Sequence, residues 1–181
     1  MALVVIDAGH GGSNPGAVYN GRQEKDDALR LSMEVGRILE ENGVAVYYTR
    51  TTDVYESPYL KAQEANRVGA DYFVSIHRNS SPYPNQYMGV ETLVYNRYSE
   101  AARLAYNINT QLEEVGYENL GINERPNLVV LNSTRMPAVL VEVGFINTDE
   151  DNDLFDERFE EIAQAIAEGI LNTLNGEMQW I

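Results

Sequence analysis

The sequence predicts an α/β fold, in which a mostly parallel, twisted sheet is covered by helices on both faces as a three-layer sandwich. Two observations lead to this prediction. Short apolar runs of strand length alternate along the chain with longer segments of helical periodicity. The connections between them are short, and the 181 residues contain no internal repeat, linker or low-complexity tract. We therefore expect a single domain over residues 1–176, with 177–181 as a loosely held tail.

The first strand is predicted at the start of the stretch LVVIDAGHGG, which covers residues 3–12. The branched apolar residues from Leu3 to Ile6 are typical of a strand buried on both faces, and the glycines end it abruptly. Asp7 and His10 lie at this end. The carboxyl ends of strands border the ligand crevice in open α/β sheets, so His10 is placed where chemistry usually occurs. Taken alone, it is equally well explained as a loop histidine beside a flexible turn.

The remaining elements follow in order, and most are bounded by a cap or a helix breaker. Apolar residues at helical spacing predict helices over about 24–42, 58–68, 100–115 and 157–174, of which the first three end at a glycine. Ser57 and Pro58 form a typical helix start. Shorter apolar runs predict strands over 44–49, 71–76, 89–95, 128–131 and 138–143.

The composition excludes several kinds of partner and site. The 13 Lys and Arg against 28 Asp and Glu give a formal net charge of −15, whereas nucleic-acid binding needs a basic surface. The absence of cysteine rules out zinc–thiolate sites and disulfides. No stretch approaches the ~20 apolar residues of a membrane span. The chain opens without a basic region, apolar leader or cleavage site, so we expect any export signal to lie outside this sequence.

The two histidines of the chain suggest a zinc site. His10 and His77 each follow a predicted strand, and parallel strands bring both imidazoles to the same edge of the sheet. Catalytic zinc usually takes three protein ligands and leaves a fourth position for water. Because there is no cysteine, we expect the third ligand to be a carboxylate.

Glu24 is the first choice for this third ligand, and Asp7 is the second. Glu24 lies between the glycine-rich loop and the first long helix, close enough in sequence to fold back over His10. A glutamate in the first turn of a helix is also explained by the helix dipole. Asp7 is also explained by a role in ordering the glycine-rich loop.

Glu142 interrupts the segment AVLVEVGF, residues 138–145, which is otherwise apolar enough for a central strand. Carboxylates are rarely left in such surroundings without a purpose or a partner. Near a zinc-bound water, Glu142 would accept a proton during attack and return it to the leaving group. The alternative is a structural ion pair with one of three arginines: Arg50, Arg125 or Arg135.

Other chemistries find little support. The sequence contains no G-x-S-x-G nucleophile elbow, no Walker A pattern and no H-E-x-x-H motif. The segment GHGGSNPG, residues 9–16, lacks the G-x-G-x-x-G spacing of dinucleotide-binding folds. A zinc hydrolase is therefore the favoured class.

Six segments, spread in order over nearly the whole chain, resemble those of a known family. They are VVIDAGHGGSNPGA at 4–17, EKD at 24–26, YYTRTTD at 47–53, EANRVGADYFVSIHRNS at 64–80, GVET at 89–92 and PAVLVEVGFINTDED at 137–151. Together they resemble the zinc-dependent N-acetylmuramoyl-L-alanine amidases of the amidase-3 type, which are catalytic domains of bacterial autolysins and some phage endolysins.

The resemblance implies that His10, Glu24 and His77 bind Zn²⁺ and that Glu142 is the catalytic acid and base. It also implies hydrolysis of the amide between N-acetylmuramic acid and L-alanine in peptidoglycan, at the cell wall outside the cytoplasm, by a monomeric catalytic domain. Two alternatives stay open: a zinc amidohydrolase or peptidase acting on another muramyl peptide or amide, and a catalytically silent module that binds peptidoglycan.

Two positions depart from the family pattern. Arg78 replaces the usual alanine after His77, and we expect Arg78 and Asn79 to contact the substrate. Lys61 replaces an expected arginine and is interpreted as structural. The loops are too short for the inserted helix that plugs the zinc site of some division amidases, so we expect an accessible site that needs no activator.

Overall fold

The computed structural model describes residues 1–176, and the expected tail at 177–181 lies outside this range. The elements in chain order are β1 (Leu3–Ala8), β2 (Val18–Tyr19), β3 (Arg22–Gln23), α1 (Glu24–Glu41), β4 (Ala45–Tyr48), α2 (Pro58–Val68), β5 (Tyr72–Asn79), β6 (Val90–Val94), α3 (Glu100–Val115), β7 (Asn119–Glu124), α4 (Val129–Asn132), β8 (Ala138–Phe145), α5 (Asp149–Glu157) and α6 (Phe159–Leu174). None of the helices within residues 1–176 combines the length and the apolar character needed to cross a membrane.

The main sheet has six strands in the order β4-β1-β5-β8-β6-β7, and β2 pairs with β3 in a separate hairpin. Strands β4, β1, β5 and β8 run parallel to one another. Strand β6 is antiparallel to β8, and β7 is parallel to β6. The mostly parallel sheet predicted from the sequence is confirmed. Its topology brings the carboxyl ends of β1, β5 and β8 to one edge.

Helices cover the two faces of the sheet unequally. On one face α1, α3 and α6 bury the larger core, which includes Val139 and Ile166. On the other face the shorter helices α2 and α4 enclose a smaller core around Phe73 and Leu140. This arrangement confirms the three-layer sandwich. At the carboxyl ends of the strands the second face is partly exposed to solvent, for example at His77.

Three segments differ from the sequence prediction. Residues 128–131 are predicted as a strand, but 129–131 lie in helix α4. Because β5 and β6 already flank β8, this apolar segment covers the face of the sheet and does not join it. The sequence analysis does not predict edge strand β7, whose sequence NLGINE has only two branched apolar residues. The predicted last helix is preceded by a separate helix, α5, in which acidic residues dominate and apolar residues are few.

A buried ion pair joins β1 to α2. Oδ1 of Asp7 lies 2.8 Å from Nζ of Lys61, and both side chains are nearly inaccessible to solvent. Asp7 also accepts hydrogen bonds from the hydroxyls of Thr49 and Ser75, at 2.6 and 2.5 Å. Lys61 donates a further hydrogen bond to the carbonyl oxygen of Ala8 at 2.7 Å. The structural role predicted for Lys61 is confirmed.

This ion pair should make the stability of the fold depend on pH in the acid range. Burial alone would raise the pKa of Asp7, but the charge of Lys61 and the hydrogen bonds outweigh it and lower the pKa below the ordinary value of 3.8. The ionised pair therefore stabilises the fold above that value, and the contribution is lost as the pH falls through the folded pKa.

Urea unfolding at a series of pH values, from neutral to strongly acidic, tests this expectation. The free energy of unfolding of the wild type should exceed that of Asp7→Asn at neutral pH, and the difference should shrink in acid. A difference that stays constant across the series would show that the charge of Asp7 contributes nothing.

Candidate metal centre

The loop after β1 is shaped by its backbone and by Arg50. His10 has φ +61°, in the left-handed region that few residues other than glycine adopt. The buried guanidinium of Arg50 donates hydrogen bonds to the carbonyl oxygens of Ala8 at 3.1 Å and Gly9 at 2.9 Å. These hydrogen bonds fix the loop so that the ring of His10 lies edge to face with the ring of His77, with their centroids 4.9 Å apart.

His10, Glu24 and His77 meet at the carboxyl end of the sheet. Oε1 of Glu24 lies 3.0 Å from Nε2 of His10 and 3.0 Å from Nδ1 of His77. One ligand atom from each residue falls within 4.8 Å of the others. Two imidazoles and one carboxylate form a ligand set found in catalytic zinc sites. The carboxylate is buried, whereas the side chains of the two histidines are 24% and 16% exposed, so solvent reaches the site.

Neighbouring groups set the orientation of two of these side chains. Oδ1 of Asn14 lies 3.0 Å from Nδ1 of His10 and accepts a hydrogen bond from the amide of Gly16. An amide oxygen only accepts, so Nδ1 of His10 donates to Asn14, and in the neutral ring that a metal site requires Nε2 is the nitrogen with the lone pair. Oε2 of Glu24 accepts from the amide of Ala17 at 2.9 Å. Oε1 of Glu24 is thus the oxygen that faces the histidines.

Two glycines of the opening motif provide the space for these side chains. A β-carbon on Gly9 would overlap the imidazole of His77. A β-carbon on Gly16, which has φ +69°, would lie 2.5 Å from Oε2 of Glu24 and 2.7 Å from Cδ2 of His10. Close approach of the backbone therefore requires glycine at both positions.

The charges of the site are coupled. Burial lowers the pKa of His10 and raises that of Glu24, but the hydrogen bond and the attraction between them outweigh this effect. As a result the pKa of His10 is raised and the pKa of Glu24 is lowered. Glu24 is therefore ionised, as a metal ligand must be.

Glu142 lies beside His77 in the register of the parallel strands β5 and β8. Its Oε2 atom is buried without a hydrogen-bond partner. Burial, with the negative charges of Glu24 and Glu91, raises the pKa of Glu142 well above that of an ordinary glutamate. Within residues 1–176 no arginine forms the alternative ion pair with Glu142. An orphaned carboxylate next to a candidate metal site is a candidate proton carrier.

Glu91 is a site residue that the sequence does not predict, although it lies within the segment GVET. Antiparallel pairing places Glu91 opposite Glu142, and paired residues share a face of the sheet. Its two carboxylate oxygens accept hydrogen bonds from the side-chain amides of Asn79 at 2.9 Å and Asn123 at 2.8 Å. The sequence does show a charged residue in an apolar strand, but it does not show that β6 pairs with β8. Glu91 and Asn123 extend the polar surface that begins at His77.

The expectation that Arg78 contacts the substrate is wrong. Successive residues of a strand point to opposite faces, and β5 continues through Arg78 to Asn79. The side chain of Arg78 therefore enters the helical layer on the far side of the sheet, where it is 1% exposed and paired with Asp27. Asn79 returns to the face of His77, where its amide contacts Glu91. Substrate contact by Asn79 stays a prediction.

A cleft of about 280 Å³ adjoins the two histidines. Apolar side chains from α4 and β8 line one side, including Val130 and Leu140, and the loop before α2 contributes Tyr55 and Glu56. Oε2 of Glu56 is buried without a hydrogen-bond partner. The cleft thus has an apolar wall and polar lining residues next to the candidate metal centre, which suits an amphipathic organic substrate.

The fold and the site together define an α/β protein with a candidate metal centre at the carboxyl end of its sheet. A family model described as N-acetylmuramoyl-L-alanine amidase matches residues 4–172. The chain belongs to this family.

Individual relatives agree with this assignment. The endolysin of Bacillus phage SPP1 is 36% identical over 183 residues, which cover 96% of this chain and 66% of the endolysin. The sporulation-specific N-acetylmuramoyl-L-alanine amidase of Bacillus subtilis is 36% identical over 96% of this chain and 67% of its own length. The solved structure of the amidase AmiC2 of Nostoc punctiforme has a TM-score of 0.90 and 36% identity over 96% of this chain and 97% of that one. The chain thus spans about two thirds of the length of the endolysin and of the sporulation-specific amidase.

Proposed function

We propose that the protein hydrolyses the amide bond between the lactyl group of N-acetylmuramic acid and L-alanine in peptidoglycan, with Zn²⁺ held by His10, Glu24 and His77. The observation that carries the proposal is the convergence of one ligand atom from each of these residues within 4.8 Å, in a chain of the amidase family. The glycine cradle, the ionised Glu24 and the exposed side of the histidines support it.

The chemistry needs a proton carrier as well as a metal. When bound, Zn²⁺ supplies Lewis-acid activation of water and of the scissile carbonyl. Glu142 accepts a proton from the attacking water as the new carbon–oxygen bond forms. It then donates this proton to the nitrogen of L-alanine as the carbon–nitrogen bond breaks, so that the products are a carboxylic acid and a free amine. The buried, unpartnered Oε2 of Glu142 supports this role.

We infer that the reaction takes place at the cell wall, outside the cytoplasm, because the proposed substrate is peptidoglycan. Relatives include an endolysin and a probable cell wall amidase. The net charge of −15 argues against a nucleic-acid partner. We propose that the catalytic domain acts as a monomer, because one chain supplies all three candidate ligands of the metal centre.

Digestion of purified cell-wall sacculi tests the proposed function. Mass spectrometry should detect new amino-terminal L-alanine on released peptides and intact glycan strands. Activity should disappear when a chelator removes the metal and return when Zn²⁺ is added in slight excess, because a metal-dependent hydrolase loses its Lewis acid on chelation.

Three other outcomes would contradict the proposal. Activity unchanged by the chelator would exclude a metal-dependent mechanism. Cleavage at a different amide would favour the zinc amidohydrolase or peptidase. Binding to sacculi without any cleavage would favour the silent module.

A further inference from the structure

The side chain of Arg78 lies on the face of the sheet opposite to the candidate metal centre. Its Nη1 lies 2.6 Å from Oδ2 of Asp27, and its Nη2 lies 2.7 Å from Oδ1 of Asn152. Its guanidinium carbon lies 4.3 Å from the ring centroid of Phe155. These contacts tie β5 to the first turn of α1 and to α5 at the residue that follows His77.

The same residue also contacts Glu24. The backbone amide of Arg78 donates a hydrogen bond to Oε1 of Glu24 at 3.1 Å, and this is the oxygen that faces both histidines. Glu24 is the first residue of α1, and Asp27 lies three residues later, on the same side of the helix. The ion pair with Asp27 therefore joins β5 to the first turn of α1, the turn that begins at Glu24.

The other partners of Asp27 cannot replace this contact. Asp27 also accepts hydrogen bonds from Arg22 and Arg30, whose side chains are 21% and 56% exposed. Arg22 in turn binds Asp156 on α5. These two arginines bind Asp27 with side chains that remain partly exposed, whereas among residues 1–176 only the buried Arg78 binds it from a strand of the main sheet.

Stability alone is a poor explanation for this pair. Removing a guanidinium and a carboxylate from water costs free energy that their attraction often only offsets, and apolar residues of similar size commonly stabilise as well or better. A buried pair is better explained where it fixes a geometry, and here that geometry is the approach of Glu24 to the two histidines.

We propose that Arg78 is a positioning residue for the metal centre: its ion pair with Asp27 fixes the first turn of α1 against β5 and so places Glu24 for ligation. The inference rests on the proposed function, since it takes Glu24 as a zinc ligand. It assigns Arg78 to metal affinity, whereas the sequence analysis assigned it to the substrate.

The test compares Arg78→Met with Arg22→Met, a matched control that also removes one arginine from Asp27 and from the ring of Phe155. The dissociation constant for Zn²⁺ is measured by competition with a chromogenic chelator, and the free energy of unfolding of the metal-free protein by urea titration. Arg78→Met should weaken zinc binding tenfold to a hundredfold, the range for loss of groups that orient a ligand. Arg22→Met should bind Zn²⁺ as the wild type does.

A second variant covers the case in which Arg78→Met does not fold. Asp27→Leu combined with Arg78→Met replaces the buried pair by apolar side chains, a change that folded proteins often tolerate. It should fold and still bind Zn²⁺ tenfold to a hundredfold more weakly. Wild-type zinc affinity in a folded Arg78 variant, or equal weakening by Arg22→Met, would overturn the inference alone. A wild type that binds no Zn²⁺ would overturn the proposed function and this inference together.

Discussion

Replacing Glu142 by glutamine should slow amide hydrolysis by about 10²-fold to 10⁴-fold while zinc binding is retained. Glutamine has nearly the same shape but neither accepts the proton of the attacking water nor returns it to the departing amine. General acid–base groups contribute about 10²-fold to 10⁴-fold to the rate, so kcat should fall within that range. The ligand atoms belong to His10, Glu24 and His77, so the metal content should not change.

The measurement is the rate of appearance of amino-terminal alanine from sacculi, together with the zinc content of the purified variant. Glu168→Gln provides the control, because Glu168 is exposed on α6, in the helical layer that covers the other face of the sheet. The control should hydrolyse sacculi like the wild type. Full turnover by Glu142→Gln would remove Glu142 from the mechanism.

Replacing each of the two candidate carboxylate ligands by its amide should affect different properties of the protein, zinc affinity in one case and stability in the other. Glu24→Gln should reduce zinc affinity by more than the ~10-fold to 100-fold that loss of an outer-shell group costs, because it removes the charged ligand itself. Asp7→Asn should keep its zinc but lose stability. It leaves the buried ammonium of Lys61 without its counter-ion, and breaking a buried pair costs about 3–5 kcal/mol.

Equilibrium dialysis against Zn²⁺ and urea unfolding of the metal-free proteins separate these effects. Each variant is the control for the other, because both replace a buried carboxylate by its amide. Loss of zinc from Asp7→Asn with retention by Glu24→Gln would make Asp7 the third ligand and reverse the proposal.

Much of the site could be predicted because its residues leave local signals. A histidine after a strand-like run and before glycines, and a glutamate inside an apolar strand, each conflict with ordinary local preferences. Such conflicts are expected at functional sites. Such conflicts identify His10, His77 and Glu142, whereas Glu24 is predicted from its position near His10, and the structure brings His10, Glu24 and His77 within ligand distance of one another.

Side-chain direction was the point at which sequence reasoning failed. The sequence predicts that the third strand ends at Ile76 and that Arg78 contacts the substrate. In the structure β5 runs on to Asn79, and alternation sends Arg78 to the far face. A difference of three residues in the end of a strand thus changed a predicted substrate contact into a buried ion pair.

The sequence by itself determined the α/β class, the mostly parallel sheet and the identity of the residues that converge at its edge, because strand and helix periods and chain breakers act locally. Only the tertiary structure shows that Asp7 forms an ion pair with Lys61, that Glu91 lies opposite Glu142 and that Arg78 pairs with Asp27 on α1. These facts depend on strand order, direction and register. Pairing between segments that are distant in the sequence sets strand order, direction and register, so the pattern within one segment does not determine them.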